Sequence, residues 1–406
     1  MTPEASEPFR LGINYWPART AMRWWTMFDE GETAEDFARI ADSGFDSVRV
    51  FLLWEAFQPE PDRVDPLMLE RLVSVADLAE VAGLDLMPTL FTGHMSGVGW
   101  IPAWALGGAE RDTRFRVVSG GRVVQDGLRN WYLDDHVVQA QQLLAGRVAE
   151  ALAGHAALWA WDLGNENSNC VVPADRELAR RWLSTMTSAI HAADGAAQIT
   201  IGIHMEDLEE DRRLGPHEAA EACDFLTMHG YPIYARWARS GTDAALVPFL
   251  ARVTRWLGGG TDVLFSEFGL PTYRTGDEAS ELARTTSVSP LIEEEEAAEY
   301  VGRVLPALRG TGATGAMLWC YSDYHPETFE HPPLDEAIHE RSFGLWRADA
   351  TSKPAVDVVR SFAGTTRLPP PDSDPWIDVD PERYWEQPGV ELPRLYERYL
   401  GRSNSG

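Results

Sequence analysis

Eight apolar, β-rich runs recur along the chain, and helical patterns separate them. The runs are LGINYW (11–16), SVRVFLLW (47–54), DLMPTLF (85–91), LWAWDLG (158–164), ITIGIH (199–204), DFLTMHGY (224–231), DVLFSEFG (262–269) and AMLWCYS (316–322). Their hydrophobicity is nearly continuous rather than alternating, as in parallel strands covered on both faces. Helical periodicity fills TAEDFARIADSG (33–44), PLMLERLVSVADLAEVAG (66–83), and then 134–153, 175–193, 248–257, 292–309 and 353–363. The first of these is expected to open with a capping box, Thr33 with Asp36, and to stop at Gly44. The second starts at Pro66 and stops at Gly83. Between strands five and six, residues 215–222 leave room for a short helix. Eight strands alternating with helices predict an α/β fold, a (β/α)8 barrel. A doubly wound open sheet needs a glycine-rich phosphate turn after its first strand, and INYWPART is not one.

Two segments break the even repeat. One follows strand three, residues 94–133; the other follows strand eight, residues 321–345. Both are long loops after strand C-termini, the end of a barrel where active sites are built. Beyond residue 364 the chain turns Pro-rich and acidic and ends in an amphipathic piece, ELPRLYERYL. The expected division is a catalytic barrel over 1–364 and a tail over 365–406 that packs along it, its last few residues disordered.

Composition narrows the partners. With 63 acidic and 35 basic residues the formal net charge is -28, a field that repels nucleic acid and anionic membranes and favours a neutral or cationic partner. Most of the 16 Trp are expected in the core, with the remainder exposed to stack on flat apolar faces such as sugar rings. Cys170, Cys223 and Cys320 are too few and scattered for a disulfide framework, and no CxxC pair points to zinc. MTPEASEPFR has neither a basic nor an apolar leader region, and no apolar run approaches the length of a membrane span. The expectation is a cytoplasmic protein.

The strand C-termini are unusually polar. Strand one gives Asn14, Tyr15 and Trp16; strand two gives Arg49, with Trp54 and Glu55 at its tip. Strand three leads to His94, strand four to Asn165 and Glu166, and strand five to His204 and Glu206. Strand six gives His229 and Tyr231, strand seven Glu267, and strand eight Trp319. A lone Arg or His here reads equally as a satisfied buried group. Glu166 and Glu267, at the ends of two apolar strands three barrel units apart, do not. Two carboxylates facing across a pocket are what glycosidic-bond hydrolysis requires, one holding a proton and the other ionised. Arg49 and the Tyr231 hydroxyl are assigned to keep one of them ionised.

GNEN (164–167), SEFG (266–269), VRVF (48–51), MHGY (228–231) and LWCY (318–321) together resemble the clan A glycoside hydrolases. The likeness is greatest to glycoside hydrolase family 5, which includes cellulases, β-mannanases and β-mannosidases, and it covers residues 8–364. The resemblance implies Glu166 as acid/base and Glu267 as nucleophile, with Arg49 and Tyr231 supporting the latter. It further implies Asn165 on the sugar 2-hydroxyl, His94 and His229 lining the sugar site, and Trp319 as its floor. It implies a retaining mechanism, with the two carboxyl groups about 5–5.5 Å apart. One position departs from the common Asn-Glu-Pro: Asn167 stands where Pro would be, leaving the turn freer or adding a side-chain contact.

The reading is a retaining glycosidase acting on a neutral β-linked oligosaccharide, without cofactor or metal. A sugar-binding protein on an inactive scaffold is expected to lack one carboxylate, and both are present. A metal-dependent hydrolase using His94, His204, His229 and Glu206 lacks any local ligand spacing. A transglycosylase would use the same two carboxylates. Trp100, Trp104, Trp131 and Tyr132 in the first insertion, with Tyr321, Tyr324 and His325 in the second, are expected to close one end of the cleft. That favours an exo-acting β-mannosidase on short oligosaccharides, with an endo-β-1,4-mannanase or a cellulase-like endo-glycanase as the alternative.

Overall fold

Each of the eight apolar runs forms a strand in the computed structural model, which describes residues 7–109 and 113–403. The strands are β1 Arg10–Tyr15, β2 Ser47–Phe51, β3 Asp85–Phe91, β4 Ala160–Asn165, β5 Gln198–Gly202, β6 Leu226–His229, β7 Val263–Phe268 and β8 Gly315–Leu318. β3 matches its predicted span residue for residue. β2 is shorter than predicted, because the chain leaves the sheet and turns into the short helix Trp54–Phe57. All pairings are parallel, in the order β5-β4-β3-β2-β1-β8-β7-β6. The ring closes between β5 and β6, where His204 bridges His229 and the His229 amide donates to the Ile203 carbonyl at 2.9 Å.

The crossover helices are α1 Glu30–Asp42, α2 Pro66–Ala82, α3 Asp135–Leu152, α4 Arg176–Ala193, α5 Pro216–Ala220, α6 Leu246–Leu257, α7 Glu294–Arg309 and α8 Pro354–Phe362. Thr33 and Asp36 do not form the expected capping box. Asp29 caps α1 instead, accepting from the Glu32 amide, and Thr33 lies inside the helix with its hydroxyl bonded back to the Asp29 carbonyl. α2 follows its sequence signals, with Pro66 in the first turn and Gly83 left-handed at its end. The helix Glu278–Thr286 between β7 and α7, which buries no residue, carried no apolar stripe by which to read it.

The lower barrel interior is filled by Met87, Ala160, Leu264 and Met317, with Phe225 beside them. Close packing there fixes Gly12, where a Cβ would stand 2.5 Å from Met317 Cε. Two residues further along the strands the interior turns polar at Asn14, Arg49, Thr89 and Asp162, all fully buried. This is the period-two alternation of a strand carrying an apolar layer into a charged one. The strand-three insertion, read as a loop, folds into a four-stranded sheet (Gly93–Met95, Val98–Trp100, Arg116–Ser119, Arg122–Val124) and a two-stranded ladder. In the tail, α9 Pro381–Glu386 and α10 Pro388–Ser403 bury Tyr384, Leu392, Leu395 and Tyr396. The Tyr384 hydroxyl donates to the Leu208 carbonyl and that of Tyr396 to Asp243. The expected disorder of the chain end falls on residues 404–406, outside the described residues. Among the described residues no helix is long and apolar enough to cross a membrane.

Candidate active site

Arg49 organises the upper barrel. Its side chain is wholly buried, and all three guanidinium nitrogens are used. Nε donates to Thr89 Oγ1 and Asp162 Oδ2 at 3.0 Å each, Nη2 to Asp162 Oδ2 at 2.6 Å and Asn165 Oδ1 at 2.7 Å, and Nη1 to Asn14 Oδ1 at 3.0 Å and Glu267 Oε1 at 2.5 Å. Asp162 therefore shares the Arg49 charge with Glu267, a partner that reading the strand ends did not single out. The signal was present: an Asp inside the apolar run LWAWDLG needs a cation, and Arg49 is the one buried beside it. Asp162 also accepts from Thr89 Oγ1 and from the Gly164 and Gly202 amides, so its loss leaves these buried donors unpaired and Arg49 with Glu267 as its one remaining counter-charge. Asp162→Ala is thus expected to destabilise the fold by about 3–5 kcal/mol, measured by denaturant unfolding. A loss under 1 kcal/mol would show that Glu267, Thr89 and the two Asn suffice to hold Arg49.

Irregularities in β4 and β7 place the carboxylates. The β4–β5 register shifts between Asp162 and Asn165, and β7 shifts against β6 and β8 around Ser266 and Glu267. Such bulges re-aim side chains. Glu166 takes a left-handed backbone, φ 49° and ψ 43°, and its amide donates to the Gly202 carbonyl at 3.0 Å. A Pro at 167 would press Glu166 towards extended backbone, so Asn167 permits the conformation seen. Its side-chain N and O are buried without a hydrogen-bond partner among the described residues, so there it adds freedom to the turn and no side-chain hydrogen bond.

Oxygens of Glu166 and Glu267 and a His229 ring nitrogen all lie within 4.8 Å of one another. His229 Nδ1 is 3.0 Å from Glu166 Oε1 and 3.5 Å from Glu267 Oε1. The Tyr231 hydroxyl donates to Glu267 Oε2 at 2.8 Å, and Asn169 Nδ2 donates to Glu166 Oε2 at 3.1 Å. Burial pushes the Glu166 carboxyl up to about 8, and the Glu206 charge adds to this. Burial raises Glu267 as well, but Arg49 and the Tyr231 hydrogen bond oppose the rise. Glu166 has no cation bonded to it, so it holds the proton while Glu267 ionises. Burial lowers His229 to about 4 and His94 to about 3, so both rings are neutral near pH 7.

These groups open into a cavity of about 490 Å³ lined by His94, Asn165, Glu166, His229, Tyr231, Glu267 and Trp319. The eight residues singled out as the site are thus brought together, seven on the cavity wall and Arg49 directly beneath. The Asn165 amide is held at both ends, donating to the His94 carbonyl at 2.6 Å and accepting from Arg49. Trp319, whose peptide bond to Cys320 is cis, packs edge-on against Phe51. His204 and Glu206 also reach the wall, whereas Trp16 and Trp54 are core residues.

The aromatic closure expected of the insertions is not what forms. Trp100, Trp131, Tyr132, Tyr321 and Tyr324 are buried within the loops, and Trp104 packs edge-on against Trp54. None of them lines the cavity. Of the 16 Trp, eleven are buried and five half-buried, so none is an exposed platform. Folding the first insertion into a sheet consumes its large apolar residues as a core, and polar residues close the cavity instead. Arg114 is bonded through both Nη atoms to Glu206, at 2.5 and 2.6 Å. Arg116 reaches across to Asp335 and Glu336 of the second insertion, at 2.9 Å each. His94, His204, His229 and Glu206 do not converge as a ligand set among the described residues.

Fold and site together are those of a glycoside hydrolase, two carboxylates meeting across the C-terminal mouth of a (β/α)8 barrel. No family model matches the chain, and no curated protein matches it. Solved structures do. A GH5_18 enzyme from Streptomyces cattleya in complex with GlcNAc aligns over 98% of this chain and 92% of its own, with TM-score 0.78 and 24% identity. A second structure of a GH5_18 enzyme from that organism, with Manβ1-4GlcNAc bound, aligns over the same shares with TM-score 0.77 and 23% identity. An exo-β-1,4-mannosidase from Opitutaceae bacterium strain TAV5 covers 89% of this chain and 60% of its own, with TM-score 0.71 and 26% identity. The two Streptomyces cattleya structures are thus of glycoside hydrolase family 5, the family that the sequence motifs resemble.

Proposed function

We propose that the protein is an exo-acting, retaining β-mannosidase that releases a terminal β-mannosyl residue from short neutral oligosaccharides such as Manβ1-4GlcNAc. The observation that carries the reading is the approach of Glu166 and Glu267 to within 4.8 Å. Inverting enzymes hold their carboxyl groups about 6.5–9.5 Å apart to admit a water, and oxygens this near to one another favour the retaining arrangement. The neighbouring exo-β-1,4-mannosidase and the Manβ1-4GlcNAc complex support the sugar and linkage.

In the first step Glu267 attacks the anomeric carbon as Glu166 passes its proton to the departing glycosidic oxygen, leaving a glycosyl ester on Glu267. In the second, Glu166, now ionised, takes a proton from water as its oxygen attacks the same carbon, and Glu267 leaves as the carboxylate. Arg49 and Tyr231 hold Glu267 in the attacking form and stabilise it as it leaves. The second N–H of the Asn165 amide serves the sugar 2-hydroxyl, and Trp319 is the floor under the ring. A transglycosylase would divert the second step to a sugar hydroxyl.

The Arg116 clasp between the two insertions supports a pocket rather than an open cleft, and hence cutting from the chain end. On a reduced β-1,4-manno-oligosaccharide of five or six sugars, the first product is expected to be monosaccharide. Early internal fragments without monosaccharide would make the enzyme an endo-mannanase.

A further inference from the structure

The second insertion puts a further buried carboxylate into the cavity. Glu340 stands on the short turn Ile338–Ser342, lines the same cavity as Glu267 and Trp319, and is only 7% exposed. Its Oε1 accepts from the Tyr234 hydroxyl at 3.2 Å and lies 3.4 Å from His339 Nε2. Among the described residues no Lys or Arg pairs with it, and no hydrogen bond ends on its Oε2. Arg341, the next residue, points elsewhere: its guanidinium donates to the Leu334 carbonyl and lies over the Phe329 ring.

The other carboxylates of the cavity are compensated. Glu267 has Arg49 and Tyr231, Glu206 has Arg114 and Arg212, Glu336 has Arg116, and Glu166 carries its own proton. A buried carboxylate without a cation is costly unless hydrogen-bond donors reach it. Glu340 also has a defined place. Tyr234, which holds it, packs edge-on against Tyr231 with centroids 5.6 Å apart, and Phe343, three residues on, does the same at 5.8 Å. Tyr231 in turn holds Glu267, so Glu340 is anchored to the Glu267 side of the cavity.

We propose that Glu340 is a specificity-determining residue that accepts hydrogen bonds from the glycone hydroxyls remote from the anomeric carbon. This rests on the glycosidase reading above. With the anomeric carbon between Glu166 and Glu267, the hydroxyls on C3, C4 and C6 are the donors a carboxylate further along that wall meets. A carboxylate has acceptor sites for two of them at once while keeping the Tyr234 bond. A further sugar attached at one of these oxygens removes the donor and places bulk against Glu340. The same contact therefore selects a free chain end.

The test is a cycle of enzyme variants and substrate deletions. An aryl β-mannoside and its 3-, 4- and 6-deoxy analogues are compared on wild type, Glu340→Ala and Glu340→Gln. The aryl leaving group is not a sugar, so any effect arises in the glycone. Wild type is expected to lose about 10- to 100-fold in kcat/KM on at least one deoxy analogue, the range for a hydrogen bond to a charged group. Glu340→Ala should lose a similar factor on the parent mannoside and discriminate against that analogue by no more than a few-fold. Glu340→Gln, which keeps an acceptor oxygen and the Tyr234 bond, should retain part of the discrimination. Should Glu340→Ala not fold, the Gln variant alone decides by the size of that loss. Wild type indifferent to all three deletions, or variants that discriminate as fully as wild type, would overturn the proposal and leave Glu340 as an anchor for Tyr234. If wild type cleaves a different aryl β-glycoside instead, the sugar is wrong, and the same cycle on that sugar decides the role of Glu340. Cleavage of no aryl β-glycoside at all would overturn both readings.

Discussion

Glu267→Ala is expected to lower turnover on the order of 10⁴-fold or more, because no covalent intermediate forms without the attacking carboxylate. The fold should survive, since Arg49 keeps Asp162 as its counter-charge at 2.6 Å. What remains is a gap beside a buried guanidinium and the Tyr231 hydroxyl, a place suited to a small anion. Azide should enter it and attack the anomeric carbon directly while Glu166 protonates the leaving oxygen. One displacement replaces two, so the glycosyl azide should have inverted configuration. Rescue with retained configuration would exchange the roles of Glu166 and Glu267, and no rescue with an intact fold would remove Glu267 from the chemistry.

Glu166 should set the alkaline limb of the pH profile. A general acid must be protonated to act, and burial holds this carboxyl's pKa at about 8. In the free enzyme kcat/KM for a substrate with a poor leaving group should therefore fall as pH rises through about 8. The acid limb belongs to Glu267, which must be ionised to attack, and burial moves that limb above the ordinary Glu range. Glu166→Ala should cost about 10²–10⁴-fold on a poor leaving group and far less on a dinitrophenyl glycoside, which leaves without protonation. The alkaline limb should disappear with it. An unchanged limb in Glu166→Ala would assign the proton to another group, such as Asp207, raised by burial to about 7.

The barrel was legible because parallel strands buried on both faces leave continuous apolar runs, and the two Glu were legible because a carboxylate ending such a run is costly unless used. Arg49, Tyr231 and Asn165 followed from the same logic and the motif resemblance. Asp162 was missed for the opposite reason: it lies inside a strand, where a single polar residue among aromatics does not disturb the pattern. The insertions misled in a more general way. Trp100, Trp131 and Tyr132 read as closing one end of the cleft, but a segment of that length builds its own small core, and its large apolar residues go there first. The wall is left to Arg114, Phe115 and Arg116, whose pairing with Glu206 and Asp335 is non-local and has no period in the sequence. Glu340 was hidden likewise, in an irregular turn that only the folded second insertion brings to the cavity.

The most direct measurement is the anomeric configuration of the first product, followed by proton NMR during rapid hydrolysis of an aryl β-mannoside. A retaining double displacement through Glu267 predicts β-mannose as the first sugar seen, with the α-anomer growing in later by mutarotation. α-Mannose appearing first would mean a single displacement by water, and would contradict the account of Glu166 and Glu267 as acid/base and nucleophile.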